Sequence, residues 1–202
     1  MLSCCDHDDA SHGAEIVRTI DVANLRCLNE AISGSVARVF RSHCTRADKS
    51  AYLDSFGDDP ELLLSVPFSC TVRLRSIVFS AGAPPACPAR ARLFVNQPNL
   101  DFDGAATATP AQELVITGAD ENADGWHALR GAKFNNITSL QIHFTGNLGS
   151  GGDPASVRIH FIGLRAEVTG FKGGVVNATY EVVPQATAAG TQSAASASVG
   201  HA

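Results

Sequence analysis

Sulfur and imidazole groups are the places where this chain of 202 residues could begin chemistry. Cys4, Cys5, His7 and His12 crowd into residues 1–14. They are soft ligands suited to zinc or copper, and a paired cysteine is also a lipidation substrate. Adjacent cysteines seldom close on one ion, and Leu2 excludes myristoylation. The segment therefore reads as a solvated, disordered lead with no metal assigned. The remaining cysteines, Cys27, Cys44, Cys70 and Cys87, complete a set of six. No C-x-x-C spacing occurs among them, which counts against a zinc ribbon and a dithiol redox site. All six are read as free thiols, with Cys27 and Cys70 on apolar faces as small hydrophobes.

Catalysis needs a nucleophile with a base, a metal set or a carboxylate pair in a cleft. The sequence contains no H-E-x-x-H, no G-x-S-x-G and no G-x-x-x-x-G-K. The glycine cluster at 146–152 lacks a following lysine and helix, so it reads as a hairpin loop. His143 and His160 fall at outward positions of two predicted strands; without a third ligand they read as solvated surface residues. Acidic loops at Asp58-Asp59, Asn96–Asp103 and Asp120–Asp124 lack the calcium-loop pattern. Trp126, the single tryptophan, reads as a half-buried loop plug, with a partner-contact anchor as the alternative. The sequence asks for no cofactor, and the expected class is not an enzyme.

The elements that hold these groups follow a period of two. Between Glu61 and Ser80, Leu62, Leu64, Val66, Phe68, Cys70, Val72 and Leu74 share one face. Ser65, Pro67, Ser69, Thr71, Arg73 and Arg75 share the other, with Leu63 out of pattern. Alternation over this length is a strand signal. Pro67 cannot donate to a ladder, so the stretch is read as strands at 61–66 and 68–80. After Leu74 the apolar set shifts to Ile77, Phe79 and Ala81, which predicts a β-bulge near Arg75-Ser76. A second bulge is predicted at Ile162-Gly163, where Val157, Ile159 and Phe161 give way to Ile162, Leu164, Ala166 and Val168. Further strands are expected at 89–96, around Leu114 and Ile116, and at 137–144. A weak strand is expected at Val36–Phe40, and Val175–Val183 as a last strand or an arm that docks on the sheet. Asp21 is the expected N-cap of a short helix carrying Leu25 and Leu28. Leu100 and Phe102 are expected to tuck back into the core as a turn. Strand signals separated by turn signals, with no long amphipathic helix, indicate an all-β jelly-roll-like sandwich with short helical turns.

Composition narrows the partners. Lys plus Arg is 15 against 20 Asp plus Glu, a net charge of −5 with no basic run, so no nucleic acid is expected. No apolar run reaches the length of a membrane span, so no membrane is expected either. The N-terminus lacks a cationic start and an apolar core, which points to cytoplasm or nucleus and reduced thiols. Sequons at Asn136 and Asn177 then read as chance matches. Residues 185–202 are low-complexity Ala, Ser, Gly and Thr and are expected to be disordered.

Four stretches carry a family resemblance. IDVANLRCLNE (20–30), ELLLSVPFSCTVRLRSIVF (61–79), ARLFVNQPNLDFD (91–103) and FIGLRAEV (161–168) resemble, in order and spacing, the PITH domain of thioredoxin-like proteins. The resemblance spans about residues 15–183, between an N-terminal tail (1–14) and a C-terminal tail (184–202). It implies a galactose-binding-domain-like β-sandwich and a protein-interaction module whose thioredoxin-linked relatives dock on the proteasome regulatory particle. The chain looks like the stand-alone branch, without a thioredoxin domain. The leading expectation is a non-catalytic adaptor for that particle. The alternatives are a structural subunit of another large assembly, cytoskeletal or ciliary, and a small-ligand or glycan binder. Exposed polar residues beside the family segments are the candidate contacts: Asn29, Glu30, Asn96, Gln97 and Arg165.

Overall fold

The computed structural model describes residues 14–117, 120, 123, 125–148 and 155–171. Their organising element is β4 (Leu62–Ala81), flanked by partners on both edges along its length. Before it come β1 (Ala14–Glu15), β2 (Arg26–Leu28) and β3 (Leu53–Asp54). After it come β5 (Pro88–Val95), helix α1 (Phe102–Thr107), β6 (Gln112–Val115), β7 (His127–Ala128), β8 (Ile137–Asn147) and β9 (Arg158–Phe171). The spatial order is β1-β9-β4-β8-β5-β6, with β2 and β7 also on β4 and β3 on β9. All the pairings are antiparallel.

β4 serves two layers. Its first half, Leu62–Pro67, pairs with β8 on one edge and β2 on the other. Its second half, from Cys70, pairs with β9. The expected pair of strands is thus one continuous strand. Pro67 costs no ladder bond that matters, because the exchange of partners falls at this point. The two halves face each other through the core: Phe79 meets Phe144 of β8 edge to face, with ring centroids 5.4 Å apart. Leu62, Leu64, Val66, Phe68, Val72, Leu74, Ile77 and Phe79 are fully buried in that core. Burial of such side chains, at ~1.5–3 kcal/mol each, is what closes the sandwich.

The bulge expected at Arg75 is present. Leu74 faces Ala166 and Ser76 faces Arg165, so Arg75 is the extra residue. The second bulge lies elsewhere than expected. Ser80 faces Phe161 and Ala81 faces Ile159, which makes His160 the extra residue, while pairing runs unbroken through Gly163. The apolar phase blurs there for another reason. Val78, Ala123 and Phe161, with Trp126 against them, form a second small cluster. Both parities of β9 are therefore buried. Trp126 is half-buried, as read.

Other expectations change. Residues 21–28 form a short 3-10 turn, Val22–Asn24, and then strand β2 rather than one helix. Ladder bonds to Leu63–Ser65 outweigh a weak local helix signal, and Leu28 is left exposed. Val36–Phe40 is not a strand; Ser35–Arg38 is a 3-10 turn that drives Val36, Val39 and Phe40 inward. Leu100 and Phe102 do tuck in, against a separate cluster of Leu63, Phe94 and Ala105 on the outer face. This explains why Leu63 breaks the alternation. Asp101 caps α1, its Oδ1 accepting from the Gly104 N–H at 2.7 Å.

His143 and His160 are not on the surface. His143 is 3% exposed and His160 8%. They lie on β8 and β9, which flank different halves of β4 and are not neighbours. Outward on a sheet is not outward to water when a helix or loop covers that face. Cys27, Cys70 and Cys87 are not disulfide-bonded, but Cys44 is, contrary to the fully reduced reading. Of the lead expected at 1–14, Ala14 is not disordered but pairs with Ala166 in β1; its residues 1–13, the last predicted strand at 175–183 and the tail at 184–202 lie outside the described residues.

Candidate functional site

Two connections meet beside the first half of β4. One runs from β1 to β2. There the Asp21 N–H donates to the Pro67 carbonyl at 2.9 Å, and the Asn24 amide donates to the Asp21 carboxylate at 2.8 Å. β2 follows, with Arg26 opposite Ser65. The other connection is the loop after β5. Asn96 starts it with φ of 56°, a left-handed conformation that asparagine tolerates better than most residues. Its Oδ1 accepts from the Thr138 N–H at 2.8 Å, the Thr138 hydroxyl at 3.2 Å and the Ser139 N–H at 3.3 Å. The Gln97 N–H then donates to Gln141 Oε1 at 3.0 Å.

Between them lies a cleft of about 200 Å³ lined by Asn24, Arg26, Ser65, Pro67, Pro98 and Asn99. A second hollow of about 290 Å³, lined by Gln97, Pro98, Asn99 and Leu100, shares two of those residues. Next to the cleft Gln141, 1% exposed, donates to the Ser139 hydroxyl at 3.1 Å and the Ser65 hydroxyl at 3.4 Å. That network is satisfied at both ends of the amide, so this side of the cleft is stiff. Arg26 is exposed and makes no hydrogen bond or ion pair among the described residues. Elsewhere Arg75 pairs with Glu167 at 2.7 Å, Arg158 with Asp54 at 2.7 Å, and Arg90 with Glu113 at 3.6 Å.

The expected contact residues are not brought together. Gln97 lines the second hollow, and Asn96 pins its loop. Asn29 and Glu30 act as struts. Asn29, with φ of 67°, donates to the Glu61 carbonyl at 2.7 Å and the Asp59 carboxylate at 3.1 Å. The Glu30 carboxylate accepts from the Gly34 and Val36 N–H groups, at 2.7 and 3.1 Å, and from the Ser35 hydroxyl at 3.1 Å. Arg165 is on β9, opposite Ser76 in the second half of β4, and stacks over Trp126 at 4.2 Å. Sequence reasoning missed Arg26, Ser65 and Asn99. Their polarity was visible, but only the fold sets them around one hollow.

The titratable groups show what the described residues are equipped to do. The Cys27 thiol is pushed far up, by burial first and by Glu30 second, so it is not a nucleophile. The His143 imidazole is pushed down to about 4, by burial first and by Arg92 second. It sits beside the Phe102 ring at 5.7 Å, with both ring nitrogens unpartnered and Nε2 3.8 Å from Glu61. Asp120, 4% exposed, holds His127 Nε2 at 2.7 Å and accepts from the Thr117 N–H at 2.8 Å. The Thr117 hydroxyl also donates to the Asp120 carboxylate, at 3.3 Å, so Asp120 ties the Thr117 turn to His127 and orients that ring. No group of three His, Cys, Asp or Glu side chains suited to a metal occurs among them either. No helix among them is long and apolar enough to cross a membrane.

The PITH domain profile matches residues 6–184. This chain belongs to the PITH domain family. It is 31% identical over 191 residues to PITH domain-containing protein 1 of Dictyostelium discoideum, covering 92% of each chain. It is 34% identical over 166 residues to PITH domain-containing protein 1 of Danio rerio, covering 81% of this chain and 76% of the relative. The Homo sapiens protein of that name is 31% identical over 150 residues, covering 74% and 68%. Among solved structures, the PITH domain resembles the CBM32-1 and CBM32-2 domains of Clostridium perfringens ZmpB in complex with GalNAc. That match has a TM-score of 0.50 and 10% identity, over 76% of this chain and 36% of the other. It also resembles part of Clostridium perfringens CpGH89 in complex with GlcNAc-α-1,4-galactose, at TM-score 0.50 and 15% identity, over 78% of this chain and 15% of the other. At such identities the likeness shows the shared jelly-roll fold. It agrees with the jelly-roll sandwich expected from the strand pattern and with the galactose-binding-like form implied by the family resemblance.

Proposed function

We propose that this PITH domain is a non-catalytic adaptor that binds a large protein assembly, with the proteasome regulatory particle as the leading partner. The observation that carries the reading is family membership along nearly the whole chain, at residues 6–184. The cleft supports it: a stiff polar hollow beside an unpaired arginine suits recognition of another chain more than turnover of a substrate. Such an adaptor works in the cytoplasm or nucleus.

The test is affinity purification of the tagged full chain from native extract at low salt, with quantitative mass spectrometry. Enrichment of regulatory-particle subunits over a tag-only control is the expected result. Their absence, with subunits of another assembly recovered instead, would overturn the proteasome assignment.

A glycan reading comes second. Two proteins that contain a domain of this fold were solved with amino sugars. Sugar sites favour an aromatic platform, whereas the residues around this cleft are prolines, amides, a serine and an arginine.

A further inference from the structure

We infer that the cleft between β2 and the loop after β5 is a receptor for an extended acidic peptide, with Arg26 as the residue that grips its carboxylate. The inference rests on the reading of the domain as a protein-binding module and names the chemistry of what it binds.

Arg26, Ser65 and Asn99 bring donors to one hollow, and the Arg26 guanidinium has no acceptor among the described residues. Arg26 carries five N–H groups in a planar fork, none engaged by a described residue. Ser65 Oγ accepts from Gln141 at 3.4 Å, which leaves its own hydroxyl proton to donate outward. The Asn99 side chain lines both hollows and makes no hydrogen bond among the described residues. The six lining residues of the cleft include one cation and no carboxylate. Of the carboxylates beside the hollows, Asp21 is engaged by the Asn24 amide at 2.8 Å, and Asp101, next to Leu100, by the Gly104 N–H at 2.7 Å. An anion entering here therefore meets donors on several sides and one guanidinium whose fork matches a carboxylate.

The shape selects an extended chain. Pro67 and Pro98 provide rigid apolar walls, and the hollows of about 200 and 290 Å³ adjoin through Pro98 and Asn99. The walls do not yield. Asn96 pins one side through Thr138 and Ser139, and Gln141 braces Ser65 and Gln97. Open hollows with braced walls of this kind lower the ordering cost of binding. A pyranose ring, the competing occupant, would find no aromatic face among the lining residues.

The full chain is titrated into fluorescein-labelled hexaglutamate, with hexaglutamine, hexalysine and free GalNAc as comparison ligands. The expected result is saturable binding of hexaglutamate alone, weakened by salt. R26A should weaken it about tenfold, the factor one charge-assisted hydrogen bond supplies. R26E should abolish it, and R26K should restore it in part because charge returns without the fork. Arg26 is exposed on a strand edge, so its variants should melt with the parent. Absence of hexaglutamate binding would overturn the inference, as would binding unchanged by R26E, which would place the anion elsewhere on the surface. A response to GalNAc lost in R26A would overturn it in favour of a sugar site. If peptide binding fails while regulatory-particle subunits are still recovered, the adaptor reading stands and this inference alone falls.

Discussion

Gly163 sits at the centre of β9, and two explanations for it make opposite predictions for Gly163→Ala. If the space beside the glycine were open, alanine would be tolerated. Its φ is not left-handed, and alanine would narrow the unfolded ensemble and stabilise by ~0.4–1 kcal/mol. The packing says otherwise. A Cβ at this position would lie 2.8 Å from Val78 Cγ1 and 2.9 Å from Phe161 Cε1, and both neighbours are fully buried. Overpacking of this kind costs ~1–3 kcal/mol, so the net loss is about 1–2 kcal/mol. For a domain of this size that lowers the melting temperature by about 3–6 °C. Urea unfolding followed by Trp126 fluorescence gives the free energy, and a thermal melt gives the shift. Gly170→Ala is the control: its nearest neighbour would be Thr71 Cβ at 4.0 Å, so it should be neutral or slightly stabilising. A rise in melting temperature for Gly163→Ala would refute the steric argument and with it the tight seal between β4 and β9.

Three further outcomes follow from the outer face and its loops. His143 in the folded protein holds its proton only below about 4, against 6.5 when unfolded. The unfolded chain therefore binds more protons between those values, and stability falls as pH drops through that window, by about 3 kcal/mol in all. His160 is shifted in the same direction, chiefly by burial, and adds to the loss. His143→Leu should flatten the profile between pH 6.5 and 4.5 and cost nothing at pH 7.5; an unchanged slope in urea unfolding counts against this assignment. Arg92 donates to the Ala105 and Ala108 carbonyls, at 2.5 and 3.0 Å, and so ties α1 to the sheet. Arg92→Met should lower the protection of residues 102–108 in hydrogen exchange and cost about 2 kcal/mol, whereas equal protection would show that apolar packing alone holds the helix. Asn96→Ala should cost about 2 kcal/mol through lost hydrogen bonds and left-handed strain, with Asn96→Asp close to neutral. Equal urea midpoints for the two would remove Asn96 as the pin of the cleft loop.

Much of the architecture was legible because strand alternation is a local record of a half-buried surface. Leu62 to Leu74 announced the central strand, and the shift to Ile77 and Phe79 announced the bulge at Arg75. Local records fail where a distant element adds a second burial. Phe161 and Gly163 are covered by the cluster around Trp126, so a buried run imitated a change of phase. His143 lies in the cover of α1, so a residue outward on the sheet became an interior one. The segment at 21–28 carried a helix cap signal, but the edge of β4 offered it ladder bonds instead.

The chain on its own fixed the class of fold, the family and most strand positions, since period, turn residues and motif order all reside in the string of residues. Tertiary structure decided which polar groups are free to bind. Asn29, Glu30 and Asn96 look as available in sequence as Arg26 and Asn99. The first three are consumed by bonds inside the chain, and the other two are left facing a hollow. A side chain's availability depends on which partners the fold brings within about 3 Å, and spacing along the chain does not encode that.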